Sequence, residues 1–230
     1  MDKTTYRHSP GIVAVGGLTS EVGKTTLLCD LLRSFPGWEA IKTTRGHYRS
    51  CGKDPQACCV THLLEDKPVV KSGREQTYSY GKDTGRYWDA GAANVHWVIA
   101  TDRQVEEGIN SAIERVETNG VFIEGNSFTK YIQPDYFIMV ARTDDLKIKS
   151  TARSALSRVS AFYLSDENVG HDEKELLREF LVKANPHALA VQSLPVFAAQ
   201  DLPDLVVSIA DRKFHLHSIA QANRGCGTAS

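Results

Sequence analysis

The sequence predicts an α/β fold, a mostly parallel twisted sheet with helices on both faces. Three observations predict it. Strand-like apolar runs alternate with helix-like stretches along most of the chain. One such run, Gly11-Ile12-Val13-Ala14-Val15, passes through a glycine-rich turn straight into the helix-like Leu27-Leu28-Cys29-Asp30-Leu31-Leu32. The length, 230 residues with 41% hydrophobic, suits one domain over 1–230 whose core could cover five to seven strands.

In order, residues 11–16 read as a first strand and 24–35 as a first helix that stops at Pro36-Gly37. Glu39 to Thr44 reads as a short second strand. A long polar stretch, 45–82, carries prolines, glycines and most of the cysteines, and reads as an irregular insertion with its Cys-rich part near 46–80. Asp83 to Ala93 looks helical, and Ala90-Gly91-Ala92-Ala93 would permit close packing. Val95 to Ala100 reads as a strand. Residues 103–118 place apolar side chains at 105, 109, 112, 113 and 116, a helical period. Val121-Phe122-Ile123-Glu124 and Tyr136 to Val140 read as buried strands, helix signals return near 146–157, and 159–164 reads as a strand. A charged amphipathic helix is expected at 171–184, a short strand at Pro195-Val196-Phe197, and a final helix over Asp201 to Ile209 with Pro203 in its first turn.

Composition excludes several classes. Lys+Arg number 27 and Asp+Glu 28, a net charge of -1, so no basic excess argues for nucleic acid and no basic amphipathic arm for a membrane surface. No apolar run approaches the roughly 20 residues that a bilayer-spanning helix needs. The polar N-terminus, Met1 to His8, lacks the apolar middle of a signal peptide, which leads to the expectation of a cytoplasmic protein. Five cysteines in such a chain are expected to be mostly reduced.

The turn after the first strand carries the chemistry. Gly16-Gly17-Leu18-Thr19-Ser20-Glu21-Val22-Gly23-Lys24-Thr25-Thr26 lies between strand and helix, the setting in which a glycine loop cradles phosphate. Amides of Gly17, Thr19, Ser20, Glu21, Val22, Gly23, Lys24, Thr25 and Thr26 would face a polyphosphate at the positive end of the helix. Lys24 would reach the β- and γ-phosphates, and the Thr25 hydroxyl would hold Mg2+. The loop is one residue longer than the common spacing, because Leu18 stands where the first glycine would be.

Further candidates lie at strand ends, after a strand or just before a helix. Glu124 closes an apolar strand, where an acid can orient a metal's water shell. Asp83, before a helix, is either an N-cap or a second carboxylate for Mg2+ or an attacking water. Lys42 ends the second strand at the edge where ligands bind, as a phosphate contact or a solvated lysine. Asp144, in Ala141-Arg142-Thr143-Asp144, is placed either to read a guanine base or on a plain surface loop. His47, Cys51, Cys58, Cys59 and His62 crowd together without a standard metal spacing, so they are either metal ligands, buried thiols or a reactive thiol beside a substrate. Cys29 reads as core and Cys226 as exposed.

These residues resemble two related families of P-loop NTPases. Thr19-Ser20-Glu21-Val22-Gly23-Lys24-Thr25 is similar to the long phosphate loop of dethiobiotin synthetase. Lys42, the stretch from Gly81-Lys82-Asp83-Thr84 to Ala90-Gly91-Ala92, and Glu124-Gly125 resemble molybdopterin-guanine-dinucleotide biosynthesis protein B. The resemblance covers roughly 11–142, and the Cys-rich insertion departs from it. The second family implies a GTP-binding, weakly hydrolysing homodimer that assists attachment of a nucleotide to the molybdenum cofactor, with a possible cofactor-biosynthesis partner protein; the residues themselves leave GTP or ATP, with Mg2+, open. The first implies an ATP-dependent ligase or kinase in which Lys24, Lys42 and Mg2+ neutralise the transferred phosphoryl; in either case the catalytic candidates are Lys24, Asp83 and Glu124, the two acids as orienters of water if the nucleotide is hydrolysed. A third possibility is a metal-binding module built on the Cys/His cluster.

Overall fold

The computed structural model describes residues 9–46, 63, 66–184, 191 and 193–222, with backbone alone for 213–222. The Cys/His cluster from His47 to His62, and Cys226, lie outside the described residues.

Eight strands form one sheet: β1 (Gly11–Gly17), β2 (Glu39–Arg45), β3 (Val69–Ser72), β4 (Val95–Ala100), β5 (Gly120–Glu124), β6 (Tyr136–Ala141), β7 (Ala161–Leu164) and β8 (Val196–Phe197). Their order is β3-β4-β2-β5-β1-β6-β7-β8. All neighbours run parallel except β3, which lies antiparallel on β4. The helices are α1 (Lys24–Ser34), α2 (Arg74–Thr77), α3 (Asp83–Asp89), α4 (Val105–Glu114), α5 (Ser150–Ala155), α6 (His171–Ala184) and α7 (Leu202–Ala222).

The period of two along buried strands sends alternate side chains to opposite faces. Val13, Val15, Phe122, Ile138 and Val140 meet Leu27, Leu28 and Leu31 of α1, Tyr87 of α3, and Leu205 and Ile209 of α7. Ala14, Val121, Ile123, Phe137 and Met139 meet Ile109 and Ala112 of α4, Ala152 and Ala155 of α5, and Leu177 and Leu181 of α6. Helices therefore cover both faces, as expected. Cys29 is buried in the first layer, also as expected.

The differences are local. The sheet has one strand more than the upper expectation, because the stretch read as irregular contains β3 and the single-turn helix α2. β3 is four residues, and its edge role follows from β4 rather than from any alternation of its own. The final helix runs to Ala222 instead of Ile209, and the helices expected at 83–93 and 103–118 are shorter, Asp83–Asp89 and Val105–Glu114.

Among the described residues, no helix is long and apolar enough to cross a membrane.

At the edge opposite the glycine loop, the first residues of β2 and β4 make a buried polar tie. His96 Nε2 lies 2.7 Å from Glu39 Oε2, and His96 Nδ1 lies 2.8 Å from Ser72 Oγ. The other Glu39 oxygen accepts the amides of Glu117 (2.8 Å) and Thr118 (3.1 Å). This joins three strands to the chain leaving α4.

Candidate nucleotide and metal site

The loop between β1 and α1 is built by burial at two points and left-handed backbone at two others. Leu18 and Val22 are buried. The amide of Leu18 donates to Val140 O (2.9 Å), which continues β1 alongside β6. Glu21 (φ 59°) and Gly23 (φ 81°) take the left-handed conformation, and Gly23 caps α1. At Gly23 a side chain is doubly excluded, since a Cβ would also lie 2.9 Å from Ser165 Cβ.

Gly17 shows why the loop begins with a glycine. A Cβ there would come within 2.7 Å of Val22 and 3.0 Å of Lys24 Cδ, so the Lys24 side chain folds back across the glycine. Gly17 is also clamped by Asn126, whose Oδ1 accepts its amide (3.0 Å) while Nδ2 donates to its carbonyl (2.9 Å). Asn126 was not selected from the sequence. Only the register that sets the end of β5 beside the end of β1 exposes it. Asn126→Ala should strip both partners from a buried peptide at the loop's root, costing about 1–3 kcal/mol. Urea denaturation would measure the loss.

Lys42, Asp83, Glu124 and Thr25 come from four different segments and converge. Lys42 Nζ donates to Glu124 Oε1 (2.6 Å) and reaches Asp83 Oδ2 (2.6 Å). The Thr25 hydroxyl lies 2.8 Å from Glu124 Oε2 and 3.1 Å from Asp83 Oδ1. Its single proton can serve one of them, and the shorter distance favours Glu124. Tyr87, fully buried on α3, donates its hydroxyl to Glu124 Oε2. Thr43 Oγ1 donates to the Glu124 carbonyl (2.8 Å). Glu124 is thus held through both carboxylate oxygens and its main chain.

Asp83 does not act as an N-cap. Lys82 is the cap of α3 and makes no side-chain cap bond, whereas the Asp83 carboxylate is turned toward Lys42 and Thr25. Opposite charge outweighs the modest gain from capping.

Electrostatics follow the packing. Burial would raise Asp83, but the Lys42 ammonium and the bonds from Lys42 and Thr25 hold it below the usual carboxylate range. Burial would lower Lys42, but Glu124 and Asp83 overcome it and keep the ammonium above its ordinary value. Burial pulls Lys24 below its ordinary value, with Glu124 opposing and Lys42 reinforcing. Burial next to the Glu124 carboxylate pushes Tyr87 far up, so it stays a donor.

Lys149, just before α5, was also missed from the sequence. Its amide donates to Leu18 O (3.0 Å) and its Nζ to Thr19 O (3.2 Å), which sets it over the loop. Burial, then the charges of Lys24 and Arg45, lower it to about 8. Lys24, Lys42, Arg45 and Lys149 line one cleft of about 200 Å³ with Thr43, Glu124, Ser127 and Thr151. A second cleft, about 450 Å³, opens beside Gly23, Thr26 and Leu27 and is walled by Tyr163, Ser165, Asp166, Glu167, Asn168 and Gln200. Arg86 of α3 donates to Thr26 Oγ1 (3.1 Å).

Asp144 stands apart from both clefts, on an exposed turn where both its oxygens are taken by Arg142 (3.0 and 2.5 Å). Among the described residues no group of three or more His, Cys, Asp or Glu could hold a metal by itself. Two carboxylates and a hydroxyl are all hard oxygen donors. They fit Mg2+, which takes one or two carboxylates and completes its shell with water and phosphate.

No family model matches the sequence, and no curated protein sequence does. Solved structures similar to the chain include HypB from Helicobacter pylori in complex with nickel, 13% identical, TM-score 0.49, covering 96% of this chain and 92% of that one. LpxK from Aquifex aeolicus in complex with ATP is 19% identical, TM-score 0.45, covering 70% of this chain. The chain spans 50% of LpxK's length. The Zn(II)-bound YjiA GTPase from E. coli is 12% identical, TM-score 0.39, with 76% of this chain and 54% of that one covered. The architecture itself, a mostly parallel sheet whose β1 runs through a long glycine loop into α1, is that of the P-loop NTPase fold.

Proposed function

We propose that this protein binds a nucleoside triphosphate with Mg2+ and acts on its γ-phosphate. The observation that carries the reading is the meeting of Thr25, Lys42, Asp83 and Glu124 within hydrogen-bond distance, beside Lys24. Amides from Thr19 to Thr26 would hold the polyphosphate, with Thr19, Ser20, Glu21 and Val22 supplying the arch, whereas the amide expected of Gly17 is taken by Asn126 and that of Leu18 by Val140. Thr25, Asp83 and Glu124 would hold the cation, which when bound neutralises phosphate charge. Lys24 would draw charge from the transferring phosphoryl group, and Tyr87 and Thr43 would keep Glu124 in place.

The nucleoside would lie in the cleft beside Thr26, within reach of the amide and carboxylate groups of Asn168, Gln200 and Glu167. Asp144, the guanine reader suggested by its spacing, would first have to leave Arg142.

On this reading the protein is an accessory NTPase of cofactor assembly, a cytoplasmic homodimer that turns over GTP or ATP slowly until a partner protein completes the site. The similarity of Lys42, Gly81–Ala92 and Glu124-Gly125 to molybdopterin-guanine-dinucleotide biosynthesis protein B supports it. One observation favours a second reading, an ATP-dependent ligase or kinase: the cation-lined cleft has room for a small acceptor next to Lys24. Thermal-shift titration with ATP, GTP and their imido analogues, with Mg2+ or EDTA, tests the shared claim. Stabilisation that needs both nucleotide and Mg2+ supports it, and none with any nucleotide overturns it. Turnover then separates the readings, since a ligase consumes nucleotide only with acceptor present.

A pH dependence follows from Lys149. Its proton is lost at about 8 in the unligated protein, and a bound anion favours keeping it. Affinity for the magnesium nucleotide should therefore fall as pH rises from 7 to 9. Lys149→Arg, which stays protonated, should flatten the fall. Fluorescent-nucleotide titration at constant ionic strength checks both.

A further inference from the structure

The place of the Lys42 ammonium is unusual for a lysine that faces a phosphate site. It sits 2.6 Å from one oxygen of Asp83 and 2.6 Å from one oxygen of Glu124, the two carboxylates that a divalent cation would use. Its side chain is well covered, and the pair it bridges is joined on the far side by Thr25. Without a positive charge there, two carboxylates would face each other in a partly dry setting, which is costly. A divalent cation at Thr25 would meet the other oxygen of each carboxylate, only a carboxylate's width from the ammonium, and at such separations like charges repel strongly.

Lys42 has somewhere to go. It lines the cleft that also receives Lys24, Arg45 and Lys149. The acid of that cleft is Glu124, whose oxygens already take Tyr87, Thr25 and Lys42. Arg45 is paired with Asp102 (2.7 Å), an exposed residue that does not line the cleft. Four cations around one small volume lack matching negative charge.

We propose that Lys42 is a stand-in for the divalent cation: it holds Asp83 and Glu124 before metal arrives, then turns into the cleft, where with Arg45 and Lys149 it binds an anionic acceptor. This rests on the magnesium-nucleotide reading above and adds an order to it. The cleft gains its fourth usable cation only after the metal has loaded, so an acceptor carrying carboxylate or phosphate binds second. The acceptor would then lie beside Lys24, on the side of the γ-phosphate away from the nucleoside cleft.

The test begins with the metal alone. Mn2+ binding is measured by electron paramagnetic resonance, without nucleotide, for the parent, Lys42→Met and Lys42→Arg. Removing the competing charge should tighten Mn2+ binding by about tenfold in Lys42→Met, while Lys42→Arg should stay within about twofold of the parent. Unchanged or weaker binding by Lys42→Met, with an intact circular-dichroism spectrum and cooperative melt, overturns the stand-in role.

The second arm uses inorganic phosphate as probe, by calorimetry, with the imido analogue of ATP or GTP filling the loop. Phosphate should bind at least about fivefold more tightly with Mg2+ than without it, Lys42→Met should remove the difference, and Arg45→Met or Lys149→Met should weaken phosphate binding in both conditions. Equal phosphate affinity with and without Mg2+ overturns the ordered anion site. Failure of the parent to bind magnesium nucleotide at all would instead overturn the proposed function.

Discussion

Lys24→Ala should lose at least about two orders of magnitude of nucleotide turnover, the usual scale for removing one group that stabilises transition-state charge. The same variant should lose the thermal stabilisation that the parent gains from magnesium nucleotide. The unligated fold should survive. Lys24 is held below its ordinary value by burial and by the neighbouring Lys42, so its charge is a strain on the unligated protein. Its removal relieves that strain, and the melting temperature without ligand should stay level or rise slightly. A variant stabilised by magnesium nucleotide as much as the parent would falsify the assignment of the loop. Lys24→Arg should also fail, because a planar guanidinium does not replace the compact ammonium that would meet the phosphates as a point charge.

The largest effect on stability is expected at the opposite end of the sheet. Glu39→Ala should destabilise the protein by about 3–5 kcal/mol, because several buried donors share this one carboxylate and each donor left unpaired costs about 1–3 kcal/mol. Glu39 and His96 are 1% and 0% exposed, so the groups left behind cannot turn to water. The change would orphan His96 Nε2 and the amides of Glu117 and Thr118 together. Glu39→Gln, which keeps one acceptor, should lose less. Chemical denaturation compares the three proteins directly.

The same residue gives an acid sensitivity. Burial alone would raise Glu39, but its bonds to His96 and to the two amides overcome this and hold it below the ordinary carboxylate value. A carboxylate depressed in the folded state adds stability above its unfolded value and surrenders it as pH falls through the folded one. The parent should lose stability below about pH 4 more steeply than Glu39→Gln, since ordinary glutamate titrates near 4.3. Nucleotide binding by Glu39→Gln near neutral pH should be normal, because Glu39 bonds to His96, Glu117 and Thr118 and to none of the residues that gather around Lys42.

Both predictions depend on residues that differ in how far the sequence discloses them. Lys24 was legible because its meaning is local: a strand, a glycine turn and a helix in succession define where its ammonium can reach. The tie at Glu39 was not, because its partners are 57 and 78 residues away and no spacing connects them. Asn126 was hidden for the same reason, 109 residues from the glycine it clamps. Asp83 shows a third case. Its position before a helix suggested a cap, and two ligands distant in sequence drew its carboxylate elsewhere.

By itself, the amino-acid sequence determined the alternation of strands and helices, most element positions and the loop from Gly17 to Thr26. Hydrophobic period, glycine placement and capping chemistry act over a few residues, so they can be read along the chain. Only the tertiary structure decided the order of the eight strands, the edge strand inside a segment that read as irregular, and the enclosure of Lys42 by two carboxylates. Parallel strands meet through long crossovers, and their register sets which strand ends face each other. That register arises from packing on both faces of the sheet at once, which no stretch of neighbouring residues encodes.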